Sequence, residues 1–277
     1  MKVAMAAGPT ITSSANSLLK EVRRSVAKGS PTADGFVVAE SVHLLSEALR
    51  SGIDFKSVLA AESARPMAAK LLRKRPDVPL HIIEERTFLT LASTENSQGV
   101  ISLVRPPKWE LADLFRGRPL VIVLDGIQDP GNAGSIVRSA EAFGASGVVF
   151  VRGTVSAANP KTLRASAGSL FRLPCVQGVS RQQVSAETRT RKLALLAASS
   201  QAEESLSGVD LQAPTVIVVG SEAHGVSPEL RTFAQPVRIP TSGVESLNAS
   251  VAAAVILYEA ARQRGRLAQG IEIAETA

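Results

Sequence analysis

Three short segments of the 277-residue sequence combine glycine with polar side chains at points where apolar runs end. The first holds Asn132 and Arg138, the second holds Glu222, and the third holds Ser246 and Asn248. Amide, hydroxyl and carboxylate groups orient polar ligands by hydrogen bonds, and an arginine adds a fixed positive charge. These residue types predict a site that works by orientation and electrostatics.

The first segment, DGIQDPGNAGSIVR at 125–138, is a glycine-rich turn that leads into a helical pattern. Gly131 and Gly134 do not give the spacing G-x-G-x-x-G of a dinucleotide-binding turn, and G-x-x-x-x-G-K-[ST] occurs nowhere in the chain. The common nucleotide-binding loops are therefore excluded.

Taken singly, each polar residue also has a structural interpretation. Asn132, Ser246 or Asn248 would serve as a helix N-cap, and Leu247 as the hydrophobic residue that often accompanies a cap. Arg138 lies off the apolar face of its helix and would simply be solvated. His224 has no carboxylate partner in its own motif, which makes it a weak candidate for acid–base work.

Continuous apolar runs at 120–124, 147–151, 193–197 and 215–219 predict strands that are buried on both faces. Such strands are typical of a parallel sheet covered by helices, here at 135–143 and 249–264. Ligands of open parallel sheets bind beyond the carboxyl ends of the strands, where the polar segments lie.

A division of the chain is predicted near Pro106 and Pro107, because prolines interrupt helices and strands. Before it, short strands at 36–39, 58–60 and 80–83 alternate with helical patterns at 42–50 and 67–72. We expect a small α/β domain at 1–105, a linker at 106–118, a larger domain at 119–265 and a frayed tail at 266–277.

Composition points to a globular protein, with 45% apolar and 20% charged residues. The single Cys175 forms no internal disulfide, the first residues lack the apolar run of a signal peptide, and no apolar run is long enough for a membrane span. These observations predict a cytoplasmic protein without membrane insertion.

The net charge of +6 favours a polyanionic partner. Residues 1–107 carry 14 basic and 10 acidic side chains, which leaves +4 on that part and +2 on the longer remainder. The basic residues cluster at Lys20, Arg23, Arg24 and Lys28, and at 73–75. Each cluster is either a solvated helix face or a contact for phosphates.

Together the three segments resemble the motifs of the SpoU family of RNA ribose 2′-O-methyltransferases, within the SPOUT superfamily of knotted methyltransferases. Motif one is similar at Asn132 and Arg138, motif two at Glu222, and motif three at Ser246 and Asn248. The segment RASAG at 164–168 is similar too, and the resemblance covers about 118–264. In motif two, alanine and valine at 223 and 226 replace a common glycine and leucine.

Upstream, 36–40 and 98–100 fit the family's N-terminal substrate-binding domain, which is similar to a ribosomal protein that binds kink-turns. The resemblance thus implies a C-terminal knotted parallel-sheet domain of the α/β-knot type behind a smaller RNA-binding domain, and a homodimer. The basic excess of 1–105 predicts that its deletion weakens RNA binding and leaves cofactor binding largely intact.

The implied activity is methylation of a ribose 2′-hydroxyl in structured RNA, chiefly 23S ribosomal RNA, with S-adenosyl-L-methionine as cofactor and no metal. A transfer RNA substrate, or RNA binding without catalysis, is the alternative. The implied catalytic residues are Asn132, Arg138, Glu222, Ser246 and Asn248. The implied cofactor pocket is formed by Ala198, Gly220, Glu222, Ile239, Leu247 and Asn248.

Arg138 is the one fixed positive charge of motif one, and arginine keeps its proton in proteins. We therefore expect it to stabilise charge on the 2′-oxygen and to grip a neighbouring phosphate, not to act as a base.

Overall fold

The computed structural model describes residues 10–94 and 96–268. The chain divides into two compact units: unit 1 comprises Met1–Lys108 and Ser156–Arg172, and unit 2 comprises Trp109–Val155 and Leu173–Ala277. The helices and strands follow one another as α1 (Ser17–Lys28), β1 (Val37–Glu40), α2 (Val42–Arg50), β2 (Asp54–Ala61), α3 (Arg65–Leu71), β3 (Leu80–Ile83), α4 (Glu85–Leu89), β4 (Val100–Arg105), β5 (Leu120–Asp125), α5 (Pro130–Ala142), β6 (Gly147–Val151), α6 (Pro160–Ala165), β7 (Cys175–Val179), α7 (Arg181–Thr190), β8 (Ala194–Ala198), β9 (Thr215–Gly220), α8 (Pro228–Arg231), β10 (Gln235–Val237) and α9 (Ala249–Gln263).

Unit 1 is built on a four-stranded sheet in the order β1-β4-β2-β3. Strand β4 runs antiparallel to both of its neighbours, whereas β2 and β3 are parallel. Alternating residues of the strands face opposite sides, so the sheet buries two apolar layers. Leu19 and Phe88 of α1 and α4 pack on one face, while Leu45 and Leu72 pack on the other. The predicted α/β domain is present, with an additional central antiparallel strand.

The segment 156–172 packs with unit 1, although it follows β6 in the chain. Helix α6 lies against β1. Arg164 Nη1 lies 3.3 Å from Glu40 Oε2 and donates to Ser93 Oγ at 2.7 Å, and Arg172 Nη1 donates to Glu47 Oε2 at 2.6 Å. The sequence-based boundaries assigned this segment to the larger domain; the structure corrects them, and deletion of 1–105 would remove only part of unit 1.

Unit 2 is built on a six-stranded parallel sheet in the order β10-β8-β9-β5-β6-β7. Val184 of α7 and Leu230 of α8 belong to the apolar layer on one face. Helix α5 packs against α9 and β6, and α9 also contacts β9. The four apolar runs that predict buried parallel strands do form β5, β6, β8 and β9, within one residue at each end.

Helix α9 ends one residue before the predicted position, and Arg266–Ala268 forms a short 3-10 turn. The rest of the predicted frayed tail, 269–277, lies outside the described residues. Across 10–94 and 96–268, no helix has the length and apolar character needed to cross a membrane.

Candidate active site

Asn132 lies inside the first turn of α5 and does not cap it. Asp129 is the N-cap, and its carboxylate accepts the backbone N–H of Asn132 at 2.7 Å. Pro130 follows at the first helical position, where a missing N–H removes no hydrogen bond. The helix therefore begins before the predicted start at Ser135, and the interpretation of Asn132 as a cap is wrong. Its amide is available to partners outside the helix.

Asn132 joins the three polar segments through its side chain. Its Nδ2 donates a hydrogen bond to Glu222 Oε1, and its Oδ1 accepts one of 3.1 Å from Asn248 Nδ2. Glu222 follows β9, Asn132 follows β5, and Asn248 precedes α9. The cluster therefore forms where the carboxyl ends of two adjacent strands meet a helix N-terminus.

Asn248 has a second task, because it is the N-cap of α9. Its Oδ1 accepts the backbone N–H of Ser250 at 2.9 Å and the hydroxyl of Ser250 at 2.7 Å. The capping interpretation holds for this residue, and its Nδ2 remains for Asn132. Ser246 is exposed and caps nothing.

A cavity of about 510 Å³ opens at the carboxyl ends of β8, β9 and β10. Ligand pockets are typically ~300–1,000 Å³. The structure brings together here every residue expected to bind the cofactor, together with Ser246: Ala198, Gly220, Glu222, Ile239, Leu247 and Asn248. His224 also lines this cavity.

Close packing leaves no room for a side chain at Gly220, where the loop that carries Glu222 begins. A Cβ built on it would lie 2.0 Å from the carbonyl carbon of Gly225 and 2.2 Å from the nitrogen of Val226. The loop folds back on itself, since Gly225 N–H donates to Ser221 O at 2.8 Å. Only glycine lets the backbone approach this closely, which sets the position of Glu222.

Arg138 stands apart from the cavity. It is exposed on α5 and is not among the lining residues. Among the described residues it has no hydrogen-bond or ion-pair partner. The structure thus unites four of the five expected catalytic residues and leaves Arg138 on the adjoining surface.

Asp125 supports the candidate site from behind the Glu222 loop, and the sequence analysis did not identify it. It is buried at the end of β5, accepts from Arg181 Nε at 2.8 Å, and accepts the backbone N–H of Ser227 at 2.7 Å. Asp125 also pairs with Gly220 in the sheet register. Both ends of the Glu222 loop are thereby tied to one residue. The sequence feature that could have identified Asp125 is a carboxylate directly after an apolar run.

Two family models match the chain. The SpoU rRNA Methylase family matches residues 119–258, and a domain described as RNA 2′-O ribose methyltransferase substrate binding matches residues 42–110. The chain belongs to the SpoU rRNA methylase family.

Relatives match over nearly the whole chain. An uncharacterized tRNA/rRNA methyltransferase of Synechocystis is 34% identical over 92% of this chain and 94% of its own. The 23S rRNA (guanosine(2553)-2′-O)-methyltransferase RlmP of Bacillus subtilis is 29% identical over 90% of this chain and 97% of its own.

Among solved structures, the SpoU methyltransferase AviRb from Streptomyces viridochromogenes in complex with AdoMet superposes with a TM-score of 0.78. It is 27% identical and covers 90% of this chain and 99% of its own. An AdoMet-bound rRNA methyltransferase from Sinorhizobium meliloti also has a TM-score of 0.78, with 26% identity over 92% of this chain and 97% of its own. The predicted family, fold class, enzyme class and cofactor are confirmed.

The walls of the cavity fit S-adenosyl-L-methionine in charge and in apolar character. Glu222 and Glu245 line it, with Arg231 as the one arginine or lysine among the lining residues of the described chain. Carboxylates suit a sulfonium and an ammonium group, and Ile239 and Leu247 supply apolar wall. No set of three or more His, Cys, Asp or Glu side chains within 10–94 and 96–268 is placed to hold a metal ion.

Proposed function

We propose that this protein methylates the 2′-hydroxyl of a ribose in ribosomal RNA, in the cytoplasm, using S-adenosyl-L-methionine. The observation that supports this most is the hydrogen-bonded cluster of Asn132, Glu222 and Asn248 beside the 510 Å³ cavity. The two family models add that methylase and substrate-binding domains occur in one chain.

The cofactor brings the methyl group already activated on a positive sulfur, so the protein's task is alignment and charge stabilisation. Glu222 braces the cluster through Asn132, and its carboxylate would balance the positive charge of the cofactor. Gly220, Ile239 and Leu247 would hold the adenosine part by close backbone approach and apolar contact. Ser246 keeps an exposed hydroxyl for the ribose.

Arg138 acts electrostatically in this proposal. Its guanidinium stays protonated and has no partner within the described chain, so it is available to a phosphate beside the target ribose. From there it stabilises negative charge that grows on the 2′-oxygen as its proton leaves.

The proposal includes a homodimer formed through α5 and α9. A shallow groove between these helices is lined by Phe143, Val251, Val255 and Tyr258, and the last three expose between 36% and 50% of their surface. Ser135 and Ser139 line the same groove, and Arg138 is their neighbour on α5, so a dimer formed through this groove would have the arginine near its edge. Light scattering should give twice the mass of one chain, and Tyr258→Asp should halve it; a monomeric wild type would refute the dimer.

The decisive experiment maps ribose methylation in RNA from cells with and without the gene. Loss of one methylated nucleotide in 23S ribosomal RNA, restored by the wild type and not by Asn132→Ala, is the expected result. Loss in transfer RNA would redirect the substrate assignment. Unchanged methylation, together with calorimetry showing no S-adenosyl-L-methionine binding, would leave an RNA-binding protein without catalysis.

A further inference from the structure

Three basic side chains form a stripe along α1. Lys20, Arg24 and Lys28 are spaced four residues apart, are exposed, and share one face because residues four apart on a helix are neighbours. At 1.5 Å per residue the stripe extends about 12 Å. We call these three residues the α1 stripe.

The structure separates the α1 stripe from the other basic residues near it. Arg23 donates to Ser14 O at 2.9 Å, and Lys56 pairs with Glu21 at 2.8 Å, so these two cations are already engaged. Among the described residues, no carboxylate pairs with any member of the stripe. Its charges are therefore open to an external anion.

The stripe continues onto a distant part of the chain within unit 1. Gly29, which ends α1 with a φ of +57°, lies against Asn159, whose Nδ2 would be 2.9 Å from an added Cβ. Asn159 caps α6, and Lys161 follows two residues later with its side chain exposed. Gly29 adjoins Lys28 and Asn159 lies two residues before Lys161, so the Lys28 end of the stripe lies near Lys161, which pairs with no carboxylate of the described residues.

We infer that the α1 stripe, extended by Lys161, contacts the phosphate backbone of the RNA substrate. This inference rests on the proposed function. Like charges four residues apart on a helix repel one another, and a polyanion laid along that face relieves the repulsion. Phosphates recur along a strand in steps far shorter than 12 Å, so the stripe spans more than one of them.

The basic residues at 70–75 are the main alternative contact for RNA phosphates, and they suit that contact less well. Arg75 is engaged by Asp77 at 2.9 Å, and that exposed carboxylate would repel a phosphate chain. It also lies on the other side of the sheet, because α3 belongs to the apolar layer opposite to that of α1. An RNA segment that lies along α1 therefore does not contact the basic residues at 70–75.

The test compares two triple variants that remove the same charge from the same unit. Lys20→Gln/Arg24→Gln/Lys28→Gln deletes the stripe, and Lys70→Gln/Arg73→Gln/Lys74→Gln deletes exposed cations on the opposite face. Affinity for 23S ribosomal RNA and for total transfer RNA is measured from 50 to 300 mM KCl. We expect the stripe variant to bind at least tenfold more weakly at low salt and to flatten the slope of log K against log[salt] by about 2, and the control to match the wild type.

A stripe variant that also carries Lys161→Gln should flatten the slope further by about 0.7. Circular dichroism checks folding, which these exposed substitutions should leave intact. Equal slopes for the two triple variants, in a protein whose wild type transfers methyl groups to either RNA, would overturn the assignment of the stripe. Absence of methyl transfer by the wild type would instead refute the proposed function.

Discussion

Unit 1 and the site of unit 2 use polar side chains in opposite ways. In unit 1, Glu40 and Glu47 are buried, and each carboxylate is met by an arginine of the segment 156–172. In unit 2, the neutral side-chain amides of Asn132 and Asn248 bond to one another, and Asn132 also donates to the exposed carboxylate of Glu222, at the edge of an open cavity. The two carboxylates of unit 1 are enclosed, whereas the polar groups of this cluster remain within reach of a ligand.

The difference separates side chains that hold the fold from side chains that the proposed function assigns to chemistry. A buried ion pair that loses one partner leaves an uncompensated charge and destabilises the protein strongly. A neutral hydrogen bond beside solvent contributes much less to stability, because water replaces a lost partner. Substitutions in unit 1 should therefore act on unfolding, and substitutions at the site should act on turnover or cofactor affinity.

The largest expected effect is that of Glu40→Ala. Its carboxylate accepts from Ser93 N–H at 2.9 Å, from Thr94 Oγ1 at 2.9 Å, and from the hydroxyl of Ser93, besides pairing with Arg164. We expect the free energy of unfolding in urea to fall by about 3–5 kcal/mol. The matched control is Glu187→Ala, which breaks an exposed pair with Arg191 on α7 and should cost about 0.5 kcal/mol or less. Similar decreases in the free energy of unfolding for both variants would contradict the structural role assigned to Glu40.

Arg138 should give the largest effect on turnover. Arg138→Ala should lower kcat by at least ~100-fold, because the proposed function assigns this arginine to the stabilisation of charge on the reacting oxygen. Arg138→Lys should retain measurable activity, because the charge remains while the planar fork is lost. Both variants should keep the wild-type dissociation constant for S-adenosyl-L-methionine in calorimetry, because Arg138 does not line the cavity. Wild-type turnover in Arg138→Ala would show that Arg138 takes no part in the reaction.

Asp125→Asn sharpens the comparison, because Asp125 is a buried ion-paired carboxylate that holds the loop carrying Glu222. The variant loses the charge that holds Arg181 and weakens the bond to Ser227 N–H, so the Glu222 loop is less well fixed. A hydrogen bond to a charged group is worth ~1.5–3 kcal/mol, which predicts about tenfold weaker S-adenosyl-L-methionine binding. Glu187→Gln is the control with unchanged affinity. Unaltered S-adenosyl-L-methionine binding in Asp125→Asn would show that Asp125 supports the fold and does not affect the cofactor site.

The smallest expected effect is that of Glu47→Gln on the stability of the protein at acidic pH. Burial alone would raise the pKa of Glu47, but hydrogen bonds from Arg50 and Arg172 outweigh it and hold the pKa below its ordinary value of 4.5. A lowered folded-state pKa contributes stability above pH ~4.5 that is lost as pH falls through the folded-state value. Urea midpoints measured from pH 6 to pH 3 should therefore fall less steeply in Glu47→Gln than in the wild type. Parallel curves would contradict the assignment.

The parallel core of unit 2 was predictable because its strands are continuously apolar. Strands buried on both faces, such as β5 and β9, carry this signal in the sequence itself. Strand β7 is a partly exposed edge strand with Gly178 inside it, and β10 is three residues long with Pro236 at its centre. Neither presents an apolar run that local patterning detects.

For the candidate site, the sequence predicted which residues lie close together but not the contacts between them. Asn132 suits both a cap and a ligand, and the choice depends on Asp129, which caps the helix three residues earlier. The pairing of Asp125 with Arg181 joins residues far apart in sequence, so no local pattern reports it. The same holds for Arg164, whose partner Glu40 lies in the other piece of unit 1. These choices are made by tertiary packing.

The two-piece construction of unit 1 has a consequence for its synthesis. A chain leaves the ribosome from its N-terminus, and residues 1–108 emerge before the segment 156–172 that completes their packing. At ~5–20 residues per second the interval is roughly 3–13 seconds. During it, Glu40 and Glu47 lack their arginine partners, and the apolar surface destined for Leu163 of α6 is uncovered. Nascent chains arrested after residue 108 should thus be protease-sensitive, and those arrested well beyond residue 172 should not.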